Sequence, residues 1–159
     1  MPWVKVKPVI DTAIRGLCYQ SYPLHAKGCP NFGRRPDCPP KAPVIYNVLD
    51  LSKDVYAIYN VYPFGQHISK MRQKHPEWSE RQVRCCLYWQ GTARKQLRQE
   101  VAECLKEHPD LYVVKCPEAQ GVNLTKTMKN VDIVLEWPPE TVAYQIMLAG
   151  NKKGYNYDK

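Results

Sequence analysis

Three cysteines, Cys18, Cys29 and Cys38, fall inside one proline-rich stretch, CYQSYPLHAKGCPNFGRRPDCPP. Thiolates converging from a single loop are the donors that soft metals and iron–sulfur clusters require. The 22 residues from Tyr22 to Pro43 hold six of the chain's fourteen prolines, together with Gly28 and Gly33. Proline fixes φ and glycine permits turns that other residues avoid, so the stretch reads as neither helix nor central strand. Tertiary contacts or a bound ion must then set its shape, and the cysteines point to a metal site. With no periodic apolar face, the order of residues 18–43 is expected to depend on that metal.

The spacings C-x10-C and C-x8-C contain no close knuckle of the kind structural zinc commonly uses. Zinc would take Cys18, Cys29 and Cys38 with His25 or Cys116 as the fourth ligand. A [4Fe–4S] cluster tolerates wide spacing and is left with one open iron when three cysteines hold it. Iron–sulfur is therefore the leading reading and zinc the alternative. Lys27, Arg34 and Arg35 interleave with the cysteines, where cations stabilise thiolates and offset a cluster's negative charge. Cys116 sits in a Cys-Pro turn like Cys29-Pro30 and Cys38-Pro39, which makes it the candidate fourth ligand. Glu118, two residues on, is the candidate catalytic carboxylate, and Glu136 is the other acid in a suitable loop. Cys85, Cys86 and Cys104 read as small buried hydrophobes, and His67, His75 and His108 as turn residues. A thiol redox protein using Cys29 or Cys38 is a third reading.

Seven cysteines do not make a paired disulfide framework. The opening MPWVKVKPVIDTAIRGL lacks the apolar core of a signal peptide, and no segment approaches the ~18 apolar residues of a membrane span. The expectation is a cytoplasmic, reduced protein with no membrane partner, where clustered cysteines mean metal or catalysis.

The formal net charge is +8 and is unevenly placed. Residues 1–49 carry +5 and residues 66–98 carry +6, while residues 99–159 come to −2. That distribution favours an anionic partner, with nucleotide or tRNA as the candidates, against the alternative of a solubilising surface. Trp78, Tyr88 and Trp89 could stack bases, with Arg81, Arg84, Arg94 and Arg98 on phosphates. An open-iron cluster under such a surface suits sulfur insertion or removal on a nucleotide or tRNA base.

The elements that must position these residues follow from patterning. Trp3–Val6 and Val55–Tyr62 read as strands, the second ended by Pro63-Phe64-Gly65. Asp11 can cap a brief helix that delivers Cys18. Ser79 opens a capping box with Gln82, ahead of one long helix to Glu107 whose buried face is Val83, Leu87, Leu97, Val101, Cys104 and Leu105. Leu111–Lys115, Val131–Glu136 and Tyr144–Leu148 read as further strands, with a short helix from Asn123 to Asn130. The sum is one compact α/β or α+β domain over residues 1–150. It has a small sheet, one long central helix and the Pro/Cys-rich ligand loop at 18–43, and a polar tail follows at 151–159.

The string GCPNFG (28–33) followed by CPP (38–40) resembles the signature of a prokaryotic family of predicted metal-binding proteins of unknown function. PEAQGVN (117–123) is similar to that family's downstream EA-x-G segment, which leads into a short helix bearing residues such as Thr125 and Thr127. Together they span about a third of the chain. The resemblance implies metal binding through the cysteine segment. The chain has no C-x-x-C pair, so the resemblance does not extend to a second metal site.

Overall fold

A computed structural model describes residues 2–20, 28 and 33–154 of the chain, the side chains of residues 18 and 19 excepted. Four strands form one antiparallel sheet: β1 (Trp3–Val6), β2 (Val55–Tyr62), β3 (Tyr112–Val114) and β4 (Ala143–Gly150), in the order β1-β2-β4-β3. The long central pair runs in register from Val55 opposite Gly150 to Tyr62 opposite Ala143. The fold is α+β, which resolves the choice left open by the patterning; none of the strand pairs is parallel.

Strand alternation sorts the core into two faces. Val55, Ala57 and Tyr59 of β2 meet Tyr144, Ile146 and Leu148 of β4 on one face, with Ile45, Leu49, Val122, Leu124 and Met128 packed over them. Ile58 of β2 and Met147 and Ala149 of β4 turn to the other face. There they meet Leu97 and Cys104 of the helix α3 (Gln90–Glu107), and the Asn60 amide donates to Ala93 O at 3.2 Å. Each fully buried aliphatic side chain contributes about 1.5–3 kcal/mol. The face opposite α3 is covered by the short helix Leu124–Lys129 and by irregular chain, to which Arg15 ties the turn ending at Ala42.

Three expectations need correction. The chain does not simply turn after β2: Pro63 caps a second helix, α1 (Phe64–Lys74), whose buried Phe64, His67 and Ile68 face the core. The helix expected from Ser79 to Glu107 is broken. The Ser79–Gln82 capping box forms as expected, but the helix it starts, α2 (Glu80–Val83), is a single turn. Cys85 then goes extended (φ −58°, ψ 127°), and a 3-10 turn at Cys86–Tyr88 leads into α3. On one continuous helix Val83 and Trp89 would point about 120° apart. The break lets both enter one cluster with Phe64, Ile68 and Ala93, and expels Leu87, which is 85% exposed. Finally, Val131–Glu136 pairs with no strand. It folds back on the helix α4 (Leu124–Lys129) through Val131 and Ile133 amides donating to Met128 O. Its alternation is met by packing alone, with Ile133 and Leu135 inward and Val134 outward.

The first residues of the expected polar tail are docked: Asp50 N–H donates to Asn151 O and Lys153 N–H to Val48 O. Residues 155–159 lie outside the described chain. Among the described residues no helix is long and apolar enough to cross a membrane.

Candidate functional site

Asp11 caps the 3-10 helix Thr12–Tyr19 by accepting from the Ala13 amide at 3.2 Å. Cys18 is the penultimate residue of that helix, as the capping signal implied. The segment before it lies along residues 121–123. Asp11 N–H donates to Gly121 O at 2.7 Å and Asn123 N–H to Val9 O at 2.8 Å. Val9 N–H in turn donates to the buried Thr127 hydroxyl at 2.9 Å.

Residues 33–42 fold into a compact double turn. Gly33 N–H reaches Pro39 O at 2.7 Å, Cys38 N–H reaches Arg35 O at 3.1 Å, and Ala42 N–H reaches Cys38 O at 3.0 Å. Gly33 adopts φ +72° and Gly28 φ +83°, the left-handed region glycine enters without a Cβ penalty. Pro39 and Ala42 are buried and Cys38 is half-buried. Cys116 leaves the end of β3, and Pro117 O then accepts from both the Gln120 and Val122 amides. The 3-10 turn Glu118–Gln120 is closed by Gly121 at φ +88°. PEAQG is thus a hook whose glycine is required by backbone conformation.

One side chain joins all three pieces. Arg15, on the helix that carries Cys18, donates from Nε to Ala119 O at 3.0 Å, and from Nη2 to Pro40 O at 3.2 Å and to Ala42 O. Ala119 lies three residues past Cys116, and Pro40 two past Cys38, so the clamp holds both cysteine turns against one guanidinium. Nothing in the sequence pattern singled out Arg15; its only local signal is a cation in a short helix ahead of a cysteine.

Electrostatics describe the same convergence. The Cys116 thiol is pushed above its usual value of 9.0, first by desolvation, then by the negative charges of Asp37, Cys38 and Glu118, with Arg94 opposing. Desolvation likewise raises the Glu118 carboxyl. Both residues are exposed, so water screens much of this effect. Cys116, just past the end of β3, is therefore within electrostatic range of Asp37, Cys38 and Glu118 and of Arg94 on α3. Without a ligand Cys116 stays protonated at neutral pH; a soft cation would draw the proton off as it binds.

The remaining candidates separate clearly. Cys29, His25 and Lys27 lie outside the described residues, as does the side chain of Cys18. Arg34 and Arg35 are exposed on the 33–42 turn. Among the described residues, no group of three or more His, Cys, Asp or Glu is arranged to hold a metal ion. Cys104 is the buried hydrophobe expected, but Cys85 is half-buried and Cys86 exposed. His67 is buried in α1 rather than in a turn, its Nε2 without a hydrogen-bond partner in the structure. Trp89 is buried against Tyr62 and Phe64 and cannot stack a base. Arg84 is taken by Glu80, Glu140 and Pro139 O, so it is no phosphate ligand. Glu136 accepts the Glu140 and Thr141 amides, both at 2.9 Å, and serves its own loop. Comparison with protein-family models, curated proteins and solved structures finds no match for this chain.

Proposed function

We propose that the chain is a cysteine-ligated metal-binding protein whose centre is an iron–sulfur cluster, held by Cys18, Cys29 and Cys38. The observation that carries this reading is the Arg15 clamp, which ties the Cys38 turn and the Cys116–Glu118 hook to the helix that carries Cys18. The motif resemblance at 28–40 and 117–123 supports it independently. Three thiolates leave a cluster one open iron, which supplies a Lewis-acidic position for a sulfur or substrate atom. Around it, this chain's residues would bind and position: Arg34 and Arg35 beside Cys38, and Arg94 within reach of Cys116, meet an anionic substrate of the nucleotide or tRNA-base class. Glu118, whose carboxyl desolvation pushes up, would be the group that moves a proton there.

Zinc is the second reading, favoured by one observation. The nearness of Cys116 to Cys38 would complete a set of four thiolates, the closed arrangement of a structural zinc staple. Cys116 therefore discriminates. Protein purified without oxygen should be brown, with iron and sulfide in a ratio of about 4:4. Cys38→Ser should abolish metal retention, whereas Cys116→Ser and Cys104→Ala should keep it. Colourless protein with one zinc that Cys116→Ser releases would establish the staple instead. Full metal content in Cys18→Ser, Cys29→Ser or Cys38→Ser would sink the three-cysteine site.

A further inference from the structure

On the opposite layer from the cysteine turns, His75, Trp78 and Tyr88 form a three-ring stack. His75 lies flat on Trp78, with centroids 3.8 Å apart and planes 5° apart. Tyr88 also packs on Trp78, tilted, with centroids 5.0 Å apart and planes at 32°. Trp78 is anchored among the residues around Phe64 and Trp89, while Tyr88 is 50% exposed and its neighbour Leu87 is 85% exposed. The break between α2 and α3 is what brings this end of the stack to the surface.

The charges around it are unbalanced. Of the two acids in residues 66–98, Glu80 pairs with Arg72 and Arg84, and Glu77 is exposed 3.7 Å from His75. Lys70, Lys74, Arg81, Lys95 and Arg98 are exposed, and none has an acidic partner among the described residues. Lys95 and Arg98 share one stripe of α3 with Gly91. Surplus cations on the same helical segment as an exposed ring, Arg81 before Tyr88 in sequence and Lys95 and Arg98 after it, match a ligand that carries both phosphates and flat apolar faces. A folded acidic protein would supply only the charge.

We propose that the α1–α3 layer binds single-stranded nucleic acid, stacking a base on the outer face of Tyr88 while Arg81, Lys95 and Arg98 meet phosphates. The choice of nucleic acid rests on the nucleotide-class substrate proposed above; the surface itself uses no cysteine. The site therefore places the polymer on the helical layer.

The test is fluorescence anisotropy with labelled oligo-uridine RNA of about 12 nucleotides, its DNA counterpart and heparin, on the full chain and on its Cys38→Ser variant. Both oligonucleotides should bind in a salt-sensitive way, and RNA tighter than DNA would identify RNA as the natural strand. Tyr88→Ala should weaken binding about five- to hundred-fold with little change in salt slope, and Tyr88→Phe should restore it. Lys95→Gln with Arg98→Gln should flatten the log–log salt slope by about 0.7 for each phosphate no longer neutralised. Absent binding at low salt, insensitivity to Tyr88→Ala, or heparin binding equal to RNA with the same Tyr88 response would overturn the proposal. Loss of RNA binding in a folded Cys38→Ser chain would overturn its location. Metal content is read in the same samples, so RNA binding without metal refutes only the cluster, and metal without RNA binding refutes only this surface.

Discussion

At the scale of the residue, Arg15 and Glu118 carry the most consequence. Arg15 satisfies three backbone carbonyls from two segments that lie 25 to 104 residues away in sequence. Hydrogen bonds from a charged donor are each worth about 1.5–3 kcal/mol, and a shorter side chain cannot reach all three. Arg15→Gln should therefore lower metal retention and speed metal loss, as followed by the visible absorbance. Far-UV circular dichroism should change little, because the two core faces do not involve Arg15. Arg15→Lys, keeping charge without the fork, should lie between.

Glu118 gives a pH signature with a definite sign. Its carboxyl titrates above the usual 4.5, so the folded chain favours the protonated form. The corresponding stabilisation is full below 4.5 and is lost as pH rises through the raised value. In metal-free protein Glu118→Gln should remove that loss, so denaturation midpoints of the variant should fall less steeply with rising pH across this range. A cation bound nearby would favour the carboxylate and shrink the difference between variant and parent. Parallel pH profiles of parent and variant would show that Glu118 is not desolvated.

At the scale of the element, short pieces closed by specific backbone conformations matter more than long periodic ones. The PEAQG hook is the plainest. Gly121 sits at φ +88°, and a Cβ built there would meet Thr12 Cα at an unstrained 3.5 Å. The cost of Gly121→Ala is therefore conformational, about 1–2 kcal/mol, with no clash added. Chemical denaturation should read that loss, and metal affinity should fall with it, since Gly121 O receives the Asp11 amide at the start of the Cys18 helix. The same reasoning explains the broken helix at residues 84–89. The capping box was legible at Ser79 and Gln82 because it is a local hydrogen-bond pattern. The break was not, because helical spacing treated Leu87 as the natural successor of Val83. Only the distant Phe64 and Tyr62 make a buried Trp89 the better solution, through ring contacts at 5.1 and 5.3 Å.

At the scale of the whole molecule, the sheet divides labour between its faces. One is closed by α3 and a dense apolar core containing Ile58, Leu97, Cys104 and Ala149. The other carries the larger apolar cluster, under α4 and irregular chain, and its cysteine-bearing turns are held with backbone hydrogen bonds, a hydroxyl and one guanidinium. Chelation should therefore act on one side. Removing metal should expose residues 18–43 to limited proteolysis while α3 stays protected in hydrogen exchange. Equal protection of metal-free and metal-loaded protein across 18–43 would show that the metal does not order the segment.

What the sequence determined by itself was local or strictly periodic. Residue patterning located all four strands, with one too many at Val131–Glu136, and the Asp11 cap located the Cys18 helix, because those signals come from neighbouring residues. The cysteine–proline pattern marked the turns that Gly33 and Gly121 close with positive φ. The tertiary structure decided which candidates could act together. It placed Cys116 within electrostatic range of Cys38, Glu118 and Arg94, and removed Trp89 by burying it and Arg84 by pairing it with Glu80, Glu140 and Pro139 O. It also supplied Arg15, a residue unremarkable in sequence. The physical reason is that a side chain's role is set by which carbonyls, rings and charges surround it. For these residues the partners come from segments distant in the chain, at separations no local pattern encodes.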